Sequence, residues 1–93
     1  QARALKDAEF RKRLLIESVE SMLEGDTGTG KALMRDYINA TIGFEKLALM
    51  AEKSPKSLMR MFSPKGNPTA QNLFTVVGLL RQQENMQFQV RTV

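Results

Sequence analysis

Ninety-three residues, 42% of them hydrophobic, allow one small domain whose core is thin relative to its surface. The chain carries a net charge of +4 and has neither cysteine nor histidine. That excludes disulfide scaffolds, zinc fingers, and thiol or imidazole catalysis. No apolar run approaches the ~20 residues that span a bilayer, and no secretory signal is read, so a cytoplasmic protein away from membranes is expected.

Asp7 caps a first predicted helix running to about Glu24, with Phe10, Leu14, Leu15, Val19, Met22 and Leu23 on one apolar stripe and Gly25 as its stop. A second helix is expected from Asp26–Thr29 to Thr41, with Leu33, Met34, Tyr37 and Ile38 inward, ended by Gly43. Phe44, Leu47, Ala48 and Ala51 define a third, of eight or nine residues. Ser54 caps a fourth, with Pro55 in the first-turn slot, where a missing N–H costs nothing, and with Leu58, Met61 and Phe62 inward. The cluster Ser63-Pro64-Lys65-Gly66-Asn67-Pro68 is a turn that no helix can cross. Thr69 then caps a fifth helix, Ala70 to about Gln83, with Leu73, Val76, Val77 and Leu80 inward. Last, Met86, Phe88 and Val90 alternate with Gln87, Gln89 and Arg91, a period of two that predicts a short strand. Such a strand would close over its own core or pair across a dimer.

One motif points away from the rest. Gly25 to Lys31 fits G-x-x-x-x-G-K, the start of the phosphate-binding loop of nucleotide hydrolases. The next position must supply a hydroxyl to magnesium, and here it is Ala32. The loop must also follow a buried parallel strand, whereas Arg13–Glu24 reads as an amphipathic helix. The expectation is a helix stop and a helix cap, with no catalysis, cofactor or metal.

The charge is unevenly placed. Residues 1–43 hold seven bases and seven acids, while residues 44–93 hold seven bases and three acids. Lys53, Lys56, Arg60, Lys65 and Arg81 fall in a stretch, 53–83, that contains no acid, and such a field suits phosphate. Within it, Leu47-Ala48 and Ala51 offer the small contacts of a supporting helix, and Leu58 and Met61 anchor the helix after the turn. Lys56, Ser57, Met59, Arg60 and Ser63 are left outward, with Lys56 and Arg60 one turn apart. This is the layout of a helix-turn-helix DNA reader.

At these residues the chain resembles a known family. Gly43–Leu80 resembles the lambda-repressor-like (XRE-type) DNA-binding domain. More narrowly, Ser54–Phe74, above all its Gly66-Asn67-Pro68-Thr69 turn, resembles addiction-module antidotes, the HigA-like antitoxins of type II toxin–antitoxin modules. The resemblance implies an all-α, five-helix repressor-like fold, to which the alternation at the end of the chain adds a short C-terminal β-strand. It places DNA-facing positions at Pro55, Lys56, Ser57 and Arg60, and strand-contacting loop positions at Lys65, Gly66, Asn67 and Thr69. With the cap Ser54, the candidate DNA-binding set is Ser54, Pro55, Lys56, Ser57, Arg60, Lys65, Asn67 and Thr69. Two positions depart from the family. Its turn glycine is Glu52 here, costly if that residue is left-handed, and its following apolar residue is Lys53.

The expected organisation is an N-terminal helical segment, 1–42, for packing, dimer or partner contact, a DNA-binding region, 43–83, and a terminal strand, 84–93. The expected function is sequence-specific binding of a double-stranded DNA operator by a homodimer. The resemblance adds autorepression and a RelE/HigB-like or ParE-like toxin as partner. The competing expectation is a protein-interaction module that keeps the repressor-like fold and binds a partner without DNA.

Overall fold

The computed structural model describes residues 7–93 and is all-helical over them. The first six positions of the N-terminal segment 1–42 lie outside the described residues. Five helices follow in order: α1 Ala8–Leu23, α2 Thr27–Ala40, α3 Phe44–Ala51, α4 Pro55–Met61 and α5 Ala70–Gln83. Four of the five start on a side-chain cap. Asp7, Asp26, Ser54 and Thr69 each accept from the backbone N–H three residues on, at 3.1–3.2 Å, satisfying donors that a helix start leaves open. The exception is α3, which begins after Gly43 at φ 84° without a side-chain cap.

All five helices contribute to one buried cluster. Leu15 and Val19 come from α1, Met34, Tyr37 and Ile38 from α2, and Phe44, Leu47 and Ala48 from α3. Leu58, Met61 and the adjoining Phe62 come from α4, and Val76, Val77 and Leu80 from α5. The spacing of these positions is helical in each segment, so one stripe per helix meets the others at the centre. Phe44 and Phe62 sit tilted at 49° with ring centroids 6.4 Å apart, tying the start of α3 to the end of α4.

The hairpin of α1 and α2 packs closely at Gly30. A Cβ at that position would overlap the Met22 side chain and approach the Ser18 carbonyl, so only glycine lets the helices come this near. Ser18, fully buried, donates its hydroxyl to the Gly30 carbonyl at 2.9 Å. Two turns further along α2, Tyr37 donates to Glu84 at 2.6 Å, and Arg11 of α1 donates to the same carboxylate oxygen at 3.0 Å. These bonds connect α1, α2 and the end of α5.

Three expectations are corrected. Residues 86–93 form no strand among the described residues; Met86 and Phe88 pack half-buried against the core, while Val90 is 84% exposed. The period of two finds no partner strand among the described residues with which to make a ladder. Phe10 and Leu23 belong to the predicted α1 stripe yet are exposed, because they lie in the first and last turns, beyond the reach of α2 and α5. Finally, Ser63, read above among the outward positions of the fourth helix, lies beyond its end: α4 stops at Met61, with Phe62 as its cap residue and part of the core.

Candidate nucleic-acid interface

The turn between α3 and α4 consists of Glu52, Lys53 and Ser54. Glu52 is left-handed, at φ 55° and ψ 46°. Its N–H bonds the Leu49 carbonyl at 3.3 Å, and the Lys53 N–H bonds Ala48 at 3.0 Å, closing α3 in the manner usual for glycine. The turn is therefore left-handed at a position where a side chain strains it. Leu47 and Ala48 are buried beneath the turn, and Leu58 and Met61 anchor α4 on the same core.

With those anchors inside, the other face of α4 is open. Pro55, Lys56, Ser57, Met59 and Arg60 are all exposed. Ser54, Lys56, Ser57 and Arg60 line one shallow hollow. Ser57 and Arg60 also line a second, with Lys65, Asn67 and Thr69 from the following loop. Seven of the eight sequence-assigned residues thus converge on two adjoining hollows; Pro55 is exposed but lines neither. Among the described residues the ion pair formed is Arg11–Glu84, which leaves Lys56, Arg60 and Lys65 without an acidic partner. Ser54 and Thr69 already use their hydroxyls as caps, so their first role is structural, and each keeps a hydroxyl proton to donate.

The loop after α4 is held by residues that the sequence did not single out for this task. Gly66 lies against the end of α4, where a Cβ would overlap the Arg60 carbonyl oxygen and crowd that of Met61. Lys31 donates to the Gly66 carbonyl at 2.6 Å and to that of Pro64 at 3.4 Å. Arg35, one turn along α2, donates to the Phe62 carbonyl at 2.6 Å. Two cations of α2 therefore satisfy carbonyls just beyond the C-terminal end of α4, where positive charge is also favoured by the helix dipole. The i, i+4 spacing of Lys31 and Arg35 was the available signal, but nothing in the sequence says which backbone atoms that face meets.

The same geometry accounts for the G-x-x-x-x-G-K match. Gly25, at φ 90°, ends α1, Asp26 caps α2, and Gly28 and Gly30 lie inside α2. The Gly30 amide bonds Asp26 at 3.1 Å, and the ammonium of Lys31 is held by the α4–α5 loop. No wrapped loop of free amides forms there.

No family model, no curated protein and no solved structure matches this chain. The chemistry of the surface itself remains the guide. It offers a guanidinium, two ammonium groups, serine and threonine hydroxyls and an exposed amide on a short helix and the loop after it. That set suits phosphate oxygens and base edges.

No helix among the described residues is long and apolar enough to cross a membrane.

Proposed function

We propose that this chain is a sequence-specific DNA-binding transcriptional regulator of the helix-turn-helix kind, with α3 as the supporting helix and α4 as the reading helix. In this reading it is the autorepressing antitoxin of a type II toxin–antitoxin module. The observation that carries the DNA reading is the exposed, acid-free face of α4, continuous through Ser57 and Arg60 with the cationic loop at Lys65. Arg60 is the base reader, since a guanidinium makes a bidentate contact to guanine. Lys56 and Lys65 hold phosphates on either side, and Asn67 and Thr69 add neutral contacts to the sugar-phosphate strand. The antitoxin part rests on the resemblance of Ser54–Phe74 alone.

Two copies of α4 would read two half-sites about 34 Å apart, or a multiple of that spacing. Selection from a random duplex library tests this. Enrichment of an inverted repeat with that spacing supports it, and a pool that never departs from random contradicts it. Co-purification of the chain with the product of a neighbouring reading frame tests the toxin partnership.

One observation favours a second reading. Leu49 is 81% and Met59 49% exposed, on α3 and α4 respectively, more apolar surface than a DNA contact needs. A module that binds a protein partner there, without DNA, would leave the duplex pool unenriched.

A further inference from the structure

The segment after α5 is free of helix, anchored at its start and open. Asn85, at φ 55°, turns the chain out of α5, and Arg81 fixes Met86 by donating to its carbonyl at 3.1 Å. The Met86 N–H in turn bonds the Arg81 carbonyl at 3.1 Å. Met86 and Phe88 lie half-buried on the core, so the segment's path is fixed. From Gln87 onward, no backbone N–H or C=O has a partner among the described residues. A docked segment with alternating apolar residues and unpaired backbone groups can serve as a template for strand pairing.

We propose that residues 86–90 pair antiparallel with the same residues of a second copy of this chain, about a two-fold axis at Phe88. The sequence is self-complementary in that register. Met86 faces Val90, Gln87 faces Gln89, and Asn85 faces Arg91, so apolar opposes apolar, amide opposes amide, and no like charges meet. Centring on Arg91 instead sets two guanidinium groups against each other. The register also accounts for Val90. It is 84% exposed in the single chain, yet the alternation of the sequence would set it, in a strand, on the face of Met86 and Phe88. Pairing at Phe88 sets Val90 beside the Met86 of the second copy, on the same face of the ribbon, and thus at the margin of that copy's core. The interface deepens the two-copy reading above, and it is tested without DNA.

Sedimentation equilibrium of the chain and of Val90→Lys is the first test. Because Val90 is outside its own core, the lysine leaves the helical content of the single chain unchanged. Opposite Met86 it is a buried, unpaired charge, and the dimer dissociation constant should rise about 100-fold. The second test is the double variant Gln87→Cys with Gln89→Cys, two exposed positions in a chain with no cysteine of its own. Directly opposed pairs in an antiparallel ladder are near enough for a disulfide, so oxidation should give a covalent dimer. A wild-type chain that stays monomeric at tens of micromolar, a dimer indifferent to Val90→Lys, or no covalent dimer from the cysteine pair would each overturn the proposal. A dimer confirmed in this way but bound to no duplex would count against the DNA reading alone.

Discussion

Glu52 carries a conformation that costs an L-residue roughly 1–2 kcal/mol, and it does so at the turn that sets the angle of α4. Glycine removes that strain but adds freedom to the unfolded chain, which returns roughly 0.4–1 kcal/mol. Glu52→Gly is therefore expected to stabilise the fold by about 0.5–1 kcal/mol, read as a higher urea midpoint with an unchanged slope. A lower midpoint would mean that the glutamate contributes something besides its backbone shape. The sequence showed a glutamate where the resemblance called for a glycine. It did not show whether the turn would bend to suit the glutamate or the glutamate would accept the turn. The second outcome is explained by what lies beneath: Leu47, Ala48, Leu58 and Met61 are all buried, and together they fix the two helices more firmly than one strained residue opposes them.

At the scale of the elements, the loop from Ser63 to Thr69 depends on α2. Lys31→Met keeps most of the aliphatic stem but removes the donor to Gly66 and Pro64. Hydrogen bonds to charged groups contribute roughly 1.5–3 kcal/mol, and this one is partly solvated, so a loss of about 1 kcal/mol is expected. Faster hydrogen exchange at Gly66 and Asn67 should accompany it, with α1 and α3 unaffected; unchanged loop exchange would show that the lysine holds nothing. The helices themselves were legible. Caps at Asp7, Asp26, Ser54 and Thr69 and stops at Gly25 and Gly43 are local signals, and the boundaries follow them closely. What was not legible depends on distant partners. The apolar ends of α1 at Phe10 and Leu23 face solvent, and Lys31 and Arg35 meet carbonyls about 30 positions away. Likewise, the alternation at Met86–Val90 states a preference for pairing but names no partner within the chain.

The molecule as a whole is tied across α1, α2 and the end of α5 by Arg11, Tyr37 and Glu84. Burial, and then the hydrogen bond donated to Glu84, push the Tyr37 phenol well above its ordinary value near 10. The unfolded phenol thus loses its proton first. The stability contributed is complete below pH 10 and is lost as pH climbs from there toward the folded value. The slope reaches at most about 1.4 kcal/mol per pH unit. Tyr37 is the only tyrosine and there is no tryptophan, so phenolate absorbance reports it alone. Ionisation and unfolding should coincide in an alkaline titration, whereas a phenol that titrates near 10 in an intact fold would contradict this. The central claim, that α4 and its loop address DNA with divided roles, is tested most directly by comparing Arg60→Ala with Lys65→Ala on a selected operator and an unrelated duplex across a range of salt. Arg60→Ala should lose about 1–3 kcal/mol of preference for the operator. Lys65→Ala should weaken both duplexes alike and reduce the salt slope by about 0.9. Unchanged affinity, preference and slope in both variants would contradict it.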